Sequence, residues 1–451
     1  MWLLRLFPWI SRAAAFVYYR IRYTGDRVPA TGPVLLVANH PNSLLDPVLV
    51  GAAARRPVRF LAKAPLFDDR TIAWLVRASG AIPVYRRADD PTQMDRNLDA
   101  FRAVHAALAE GAAVGIFPEG LSHSAPALAP LKTGAARIAL GAATLTGGAF
   151  PLVPIGLDFR QKDRFRSRAV VLTGRPIPWD DLAARGVDDA EAVRALTERI
   201  ADGLAHLTVN LERWQDRPLV ECAVQIWEAE RAVPPDPAER VARLVASTHI
   251  LGEARRAGDQ VAGELAADVE THRRRLRRFR LRPVDLASPV WFSTGVRWAA
   301  RRVFLVFPLA AVIALVGFLL FFPPYRLTGF LVDRLRRPDD QRSTYKLLTG
   351  IVVYGVWLAA LTAAAAVTWG VVPGLAVLLG MPVVGMVGLT VRERWRGAWS
   401  DARRFLLLRS RRALVDTLRA RQRDLAARLQ GVYQQYQARV EQAPPPPEEP
   451  A

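Results

Sequence analysis

The sequence predicts an α/β domain, followed by a helical extension and by C-terminal transmembrane helices. Between about residues 30 and 175, short apolar runs alternate with segments of helical periodicity, which is typical of a parallel or mixed sheet covered by helices. Farther along, Val303–Phe322 is a run of 20 residues without a charge, and Leu347–Val391 is one of 45. Because about 20 apolar residues cross a bilayer, the longer run predicts two spans joined by a turn near Gly370–Gly374.

The elements of the first half are predicted in chain order. Residues 1–24 are expected to form an amphipathic helix in a membrane interface, because apolar residues fall at helical spacing: Leu3, Phe7, Ile10, Ala14 and Val17. Six apolar runs predict strands: Val34–Ala38, Val58–Ala62, Ala81–Tyr85, Ala112–Phe117, Leu152–Asp158 and Ala169–Thr173. Three segments between them predict helices: Asp69–Arg77, Thr92–Glu110 and Thr133–Ala143.

Changes in composition divide the whole chain into regions. The α/β domain is expected over residues 25–215, and a helical extension over 216–300. A membrane region over 301–391 then precedes a basic helical tail over 392–441. Residues 442–451 are predicted to be a disordered, proline-rich end.

The charge balance predicts an anionic partner. The chain has 62 Lys and Arg against 42 Asp and Glu, a net charge of +20. The arginine-rich run at 273–282 lies about 20 residues before an apolar stretch, and no nucleic-acid-binding motif accompanies it, so anionic membrane lipid is expected and nucleic acid is not. The single cysteine, Cys222, excludes a disulfide framework and a cysteine zinc site, and no metal ligand set is visible.

The segment VLLVANHPNSLLDP, residues 34–47, predicts the reactive centre. His40 follows a strand, and Asp46 lies six positions later. A neutral imidazole can take a proton from an attacking hydroxyl, while a carboxylate on its other nitrogen fixes the tautomer and stabilises the imidazolium. No GxSxG nucleophile motif is present, so the attacking hydroxyl is expected to come from the substrate.

Three further motifs make the sequence resemble the glycerolipid acyltransferase family, and in particular its bacterial subgroup with HPN-x-LLDP. They are GAIPVYRR with Arg86, FPEGLSHS with Glu119 and Gly120, and VPIGL at 153–157, and they stand in the family's order. Two departures are visible. Five residues instead of four separate His40 from Asp46, which the HPN turn must absorb, and Ser122 replaces a common arginine.

The resemblance implies O-acyl transfer from acyl-CoA or acyl carrier protein, without a cofactor, to a hydroxyl of glycerol 3-phosphate or 1-acylglycerol 3-phosphate. His40 would be the general base and Asp46 its orienting partner. Arg86 and Glu119, the latter with Gly120, would bind the acceptor. Lys63 and Lys132, two of only four lysines, are further candidates for phosphate binding, with chance placement as the alternative.

Several alternatives stay open at this stage. Glu119 could instead cap a turn and position backbone amides. The acceptor could be another lysolipid, because any hydroxyl acceptor and thioester donor need the same base. A non-catalytic protein that binds anionic membranes is the other class of function.

The basic segments also predict an orientation in the membrane. Segments 323–345 and 392–441 are both rich in arginine, and short basic loops favour the cytoplasm. A hairpin over 347–391 keeps both inside, with Val303–Phe322 re-entrant or interfacial because of backbone breaks at Pro308 and Pro323–Pro324; a plain span is the alternative. The catalytic domain is expected to face the cytoplasm at the cytoplasmic (inner) membrane.

Overall fold

The computed structural model describes residues 12–69, 72–85, 92, 95, 97–232, 236–287, 307–335 and 339–442. The chain divides into two compact units. The first unit comprises Met1–Glu212, Asp236–Val245 and Arg337–Leu347. The second unit comprises Arg213–Pro235, Ala246–Arg336 and Leu348–Ala451.

The first unit is built on a seven-stranded sheet. Its strands are β1 (Tyr19–Gly25), β2 (Val34–Ala38), β3 (Val58–Lys63), β4 (Ile82–Val84), β5 (Ala113–Ile116), β6 (Leu152–Phe159) and β7 (Ser167–Thr173). Their order in space is β1-β7-β6-β2-β5-β3-β4. Neighbouring strands pair in parallel, except that β7 runs antiparallel to β6. This mixed α/β sheet confirms the fold class that the sequence predicted.

Helices cover both faces of the sheet. Those of the first unit are residues 12–18 (α1), α2 (Leu45–Ala54), α3 (Ala73–Ala78), α4 (Asn97–Ala109), α5 (Gly134–Thr146), α6 (Asp180–Ala183) and α7 (Ala190–Ala205). Alternate residues of the fully buried β2 enter two different hydrophobic cores. Leu35 and Val37 pack with buried residues of α4, α5 and α7, and Leu36 and Ala38 pack with those of α2.

All six predicted strands are present, with ends shifted by one or two residues, but β1 and α2 were missed. The predicted helix over 1–24 is wrong for residues 19–24, because Tyr19–Gly25 is a strand paired with β7. Its residues 1–11 lie outside the described part. The signal for β1 was present, since YRIRYT alternates in the way that a half-buried strand does.

Helices continue through the rest of the described chain. They are α8 (Arg217–Glu230), α9 (Pro237–Ala257), α10 (Gln260–Phe279), α11 (Pro283–Ala287), α12 (Phe307–Arg334), α13 (Asp339–Trp369), α14 (Val371–Ser410) and α15 (Arg412–Gln442). The described part of the extension over 216–300 is mostly helical, with short turns between the helices. The predicted boundary at residue 391 is not an element boundary, because α14 continues to Ser410. The proline-rich end from 443 onward lies outside the described residues.

Among the described residues, three helices are long and apolar enough to cross a membrane, by length and composition: Leu315–Arg334, Gln341–Trp369 and Val371–Trp395. The turn predicted near Gly370 separates the last two, and Gly370 has φ +99°. The backbone break predicted at Pro323–Pro324 is wrong, because α12 runs through both prolines. Pro324 has no N–H for the carbonyl of Leu320, and Trp357 Nε1 donates to that carbonyl at 3.0 Å instead.

The close approach of β1 and β7 gives a test of the fold. A Cβ added to Gly25, which has φ +91°, would lie 2.0 Å from the carbonyl oxygen of Thr173. Gly25→Ala should therefore lower the free energy of unfolding by about 3 kcal/mol, from left-handed strain plus overpacking. Gly32→Ala is the control, since Gly32 has φ +77° but open space around it, and it should lose only about 1 kcal/mol. Thermal unfolding in detergent measures both; equal losses would contradict the contact.

Candidate active site

The candidate site lies at the edge of the sheet where three parallel strands end. β2 ends at Ala38, β5 at Ile116 and β3 at Lys63, and both β2 and β3 pair with β5. The loops that follow β2 and β5 therefore start side by side, and they bring His40 and Glu119 together. Open α/β sheets commonly place ligand sites beyond the carboxyl ends of their strands.

His40 and Asp46 form the hydrogen-bonded pair that the sequence predicted. Nδ1 of His40 lies 2.9 Å from Oδ2 of Asp46, so the neutral imidazole donates its Nδ1 proton to the carboxylate. Nε2 is then the ring nitrogen that can accept a proton, and 18% of the His40 side chain is exposed. The ring stacks on Phe117, with centroids 4.0 Å apart and planes 12° apart, which fixes its orientation.

The extra residue between His40 and Asp46 is absorbed by a tight turn, as expected. Ser43 has φ +46°, in the left-handed region. The carbonyl oxygens of Asn42 and Ser43 accept the N–H groups of Leu45 and Asp46, at 3.1 and 3.2 Å. The turn leads directly into α2, whose first turn carries Asp46. Local backbone geometry thus compensates for the longer spacing.

The carboxylate of Asp46 is buried, and its Oδ2 atom accepts two hydrogen bonds. Besides His40, the backbone N–H of Asn42 donates to Oδ2 at 2.6 Å, whereas Oδ1 has no hydrogen-bond partner within the described chain. Burial raises the pKa of the Asp46 carboxyl group above its ordinary value. His40, the Asn42 N–H and the charge of Lys162 act in the opposite direction. A carboxylate held here stabilises positive charge on His40 strongly, because little water screens it.

Glu119 faces into the protein. Its Oε1 accepts the backbone N–H of His40 at 2.8 Å, and its Oε2 accepts the N–H of Ala129 at 2.8 Å. Oε2 also pairs with Nε2 of His123. Because Nδ1 of His123 accepts the N–H of Ala125, the proton of this ring lies on Nε2 and is donated to Glu119. Only 2% of Glu119 is exposed, so the geometry favours the positioning role over the predicted contact with an acceptor.

Sequence reasoning missed residues that fix the loop after β2. The side chain of Asn39 bridges to β6 through two bonds, donating to the Leu157 carbonyl at 3.0 Å and accepting the Leu157 N–H at 2.7 Å. Lys162 Nζ donates to the carbonyl of Pro41 at 3.0 Å. Asn39 precedes His40 in the motif itself, which was a usable signal, whereas Lys162 had none.

The comparisons with known proteins identify the domain in which this site lies. Residues 20–158 match the family model described as Acyltransferase. This chain contains an acyltransferase domain. The matched segment carries His40, Asp46 and Glu119, so the recognition made from four short motifs is confirmed at the level of the domain.

Two curated relatives are similar to part of this chain. Glycerol-3-phosphate O-acyltransferase 2 of Saccharomyces cerevisiae is 34% identical over 145 residues, which are 32% of this chain and 20% of the yeast protein. The 1-acyl-sn-glycerol-3-phosphate acyltransferase of Bacillus subtilis is 25% identical over 193 residues, which are 42% of this chain and 89% of that protein. The chain thus spans only a fifth of the yeast relative. The crystal structure of the 1-acyl-sn-glycerophosphate acyltransferase of Thermotoga maritima aligns at 19% identity with a TM-score of 0.32, over 44% of this chain and 76% of that one.

The predicted basic ligands have different placements in the acyltransferase domain. Lys132 lies against the FPEG turn, since a Cβ added to Gly120 would come 2.8 Å from its Nζ. Gly120 itself has φ +72°, a left-handed backbone conformation that favours glycine. Lys63 ends β3 at the same edge of the sheet. Arg86 lies outside the described residues.

Ser122, which stands where the family commonly has arginine, takes a different role. Its Oγ accepts the backbone N–H of Ser43 at 3.0 Å, so it ties the FPEG loop to the turn that follows His40. A second hydrogen bond joins the same two loops, because the backbone N–H of His123 donates to the carbonyl of His40 at 3.2 Å. Across the described ranges, no group of three or more metal-ligating side chains comes together.

The buried position of Glu119 predicts how its neutral isostere behaves. Glu119→Gln keeps the shape but replaces one acceptor by a donor, which opposes a backbone N–H. We expect kcat to fall by at least about tenfold through misplacement of His40, with the acceptor KM changed less than about twofold. The control is Glu110→Gln, which makes the same charge change at an exposed position. A rise in acceptor KM at constant kcat would instead support direct acceptor binding by Glu119.

Proposed function

We propose that this protein is a membrane-bound O-acyltransferase that acylates glycerol 3-phosphate or 1-acylglycerol 3-phosphate, using acyl-CoA or acyl carrier protein as donor. The carrying observation is the His40–Asp46 pair, with Nδ1 of the ring hydrogen-bonded and the His40 side chain partly exposed, inside an acyltransferase domain. A base of this kind, without a nucleophilic serine motif, suits direct attack by a substrate hydroxyl.

In the proposed reaction, His40 carries out both proton transfers. Nε2 takes the proton of the acceptor hydroxyl as its oxygen attacks the thioester carbonyl. The C–O bond forms and the C–S bond breaks, and the thiolate leaves and receives the proton from the imidazolium. Asp46 stabilises the charged ring between these two transfers. No acyl-enzyme intermediate and no cofactor are part of this proposal.

The acceptor phosphate is proposed to lie near Lys132, with Lys63 and Arg86 as further ligands. Lys132 supports this assignment because its ammonium lies beside the FPEG turn, at the edge that also carries His40. A compact ammonium binds phosphate as a point charge. The two curated relatives are named for glycerol 3-phosphate and for its 1-acyl form, which supports the acceptor class.

The alternatives differ in what they require of the site. A non-catalytic, membrane-binding protein has no use for a buried carboxylate whose desolvation opposes folding, so Asp46 favours an enzyme. Another lysolipid acceptor requires the same base.

Membranes containing the protein, supplied with labelled acyl donor, should acylate glycerol 3-phosphate or lysophosphatidate well above other lysolipids when the acceptors are compared side by side. Preference for an uncharged lysolipid would contradict the acceptor assignment.

We also propose that the protein resides in the cytoplasmic membrane, with the acyltransferase domain on the cytoplasmic side and anionic lipid as its surroundings. The candidate spans support a membrane location. A hairpin over 347–391, with the first apolar stretch not crossing, keeps the basic segments and the acyltransferase domain together on the cytoplasmic side. The sheet supports it as well, because Arg20, Arg168 and Arg160 lie in one row across β1, β7 and the end of β6. Burial is the largest cause that lowers the pKa of Arg168. The positive charges of neighbouring arginines lower this pKa further: Arg160, Arg240, Arg20 and Arg22. Like charges directly opposite each other destabilise a sheet, and an anionic headgroup layer would relieve them.

The catalytic pair gives the central prediction. His40→Ala should lower kcat by about a hundred- to ten-thousandfold with the protein still in the membrane fraction, because a general base contributes that much. His206→Ala, at an exposed histidine outside the site, should keep full activity. A His40→Ala enzyme with wild-type turnover on the correct acceptor would overturn the mechanism.

Asp46→Asn separates stability from activity. Burial raises the pKa of the Asp46 carboxyl group, so the folded state holds a proton there more tightly than the unfolded chain does. That contribution to stability is present at low pH and is lost as pH rises above the ordinary carboxyl range. At pH 7 the neutral amide should therefore leave the Tm unchanged or higher, while kcat falls at least about a hundredfold. A large loss of Tm would show that the charge stabilises the fold.

The arginine row can be tested on the unmodified protein. In vesicles with about one-third anionic phospholipid, Arg20, Arg22 and Arg168 should react with phenylglyoxal about fivefold more slowly than in neutral vesicles, because each arginine near such a surface gains about 1 kcal/mol. Peptide mass spectrometry measures the rates. The control is Arg137, an exposed arginine on α5, whose rate should not change. Equal protection at all four positions would indicate a non-specific effect.

A further inference from the structure

The first turns of α13 belong to the first unit and are buried there. Ser343 and Thr344 are 0% and 4% exposed. Leu347 packs against the core that contains α2, and Lys346 Nζ donates to the carbonyl of Asp163 at 2.8 Å. These residues lie about 180 positions beyond the end of the matched acyltransferase segment, so neither the motifs nor the family match includes them.

Ser343 contacts the turn that carries the catalytic pair. Its Oγ donates to Oδ1 of Asn42. The same amide donates from Nδ2 to the hydroxyl of Tyr19 at 2.9 Å, and Tyr19 in turn donates to the carbonyl of Lys162. Asn42 and Tyr19 are both completely buried. Both ends of the Asn42 amide are thus occupied, one of them by a residue 301 positions away.

Asn42 transmits this contact to the reacting ring. Its backbone N–H donates to Oδ2 of Asp46 at 2.6 Å, and the same oxygen accepts the Nδ1 proton of His40. A change in the orientation of Asn42 would therefore move the carboxylate that orients His40. Burial raises the pKa of Tyr19 far above its ordinary value, so its hydroxyl stays neutral and keeps both of its hydrogen bonds at any working pH.

We propose that Ser343 is a positioning residue for the His40–Asp46 pair, acting through Asn42; this rests on the proposed function. Ser343 lies three positions into Gln341–Trp369, the second candidate membrane span. The apolar helix α13 thus contributes to catalysis through its first turn. Seating of this turn against the loop after β2 is required for full activity of the acyltransferase domain.

The test compares two neighbouring buried hydroxyls in the full-length protein. Ser343→Ala leaves the Asn42 amide oxygen without its donor, and kcat should fall about tenfold, with both KM values within about twofold of wild type. Thr344→Val is the matched control, because the Oγ1 atom of Thr344 has no hydrogen-bond partner in the described structure. It should retain wild-type kcat. Equal activity of Ser343→Ala and wild type, or equal losses in both variants, would overturn the proposal.

A double variant separates positioning from folding. In a His40→Ala background, Ser343→Ala should not lower the residual rate further, since the residue acts through His40. A tenfold loss in that background as well would mean a purely structural role. Full activity of His40→Ala alone would contradict the proposed function itself. This result differs from one that contradicts only the positioning role of Ser343.

A second substitution guards against loss of folded protein. Ser343→Cys keeps the size of the side chain and a weaker donor, so its kcat should lie between those of wild type and Ser343→Ala. If Ser343→Ala does not accumulate in membranes, the ratio of the Ser343→Cys kcat to the wild-type kcat decides the test. Wild-type kcat in Ser343→Cys, with the protein folded, would then contradict the role of the hydrogen bond.

Discussion

The buried carboxylate of Asp46 is the interaction on which the site depends. One oxygen atom accepts both the Nδ1 proton of His40 and the backbone N–H of Asn42. Removing a carboxylate from water is unfavourable, and here it raises the pKa of the group. The same removal makes the carboxylate effective towards a charge that develops on His40, because screening is weak. Because burial of the carboxylate is unfavourable, other contacts of the fold have to hold Oδ2 of Asp46 in place.

Two loops share that task at the edge of the sheet. The backbone N–H of His40 donates to Glu119, its carbonyl accepts from His123, and Ser43 donates to Ser122. Each contact joins the loop after β2 to the loop after β5. Because β2 and β5 are hydrogen-bonded neighbours, the loops start from fixed positions. Glu119 consequently organises backbone donors, and its place in the FPEG turn does not by itself indicate contact with substrate.

A third support comes from far along the chain. Lys162 follows β6 and holds the Pro41 carbonyl, and Ser343 holds the Asn42 side chain. Together these contacts fix Pro41 and Asn42 of the HPN turn by tertiary hydrogen bonds. Ser43 in this turn has a positive φ, which is a strained backbone conformation for a residue with a side chain. Such a conformation persists when contacts from several neighbouring segments hold it. The same residues make this part of the first unit rigid and link it to the start of an apolar helix.

The sequence by itself determined the apolar strands, the helices between them, the long uncharged helices and the pairing of His40 with Asp46. These follow from local periodicity and from residue types at short spacing, as with β2 and with His40 and Asp46. It did not determine β1, whose alternation competed with an amphipathic pattern just before it. Nor did it determine the unbroken path of α12 through two prolines, which depends on Trp357 donating to a carbonyl that Pro324 leaves free. Only the tertiary structure shows that Glu119 accepts the backbone N–H groups of His40 and Ala129, and that Ser343 donates to Asn42. A hydrogen bond across 301 residues is set by the packing of distant elements, and no local pattern encodes which buried donor meets which acceptor.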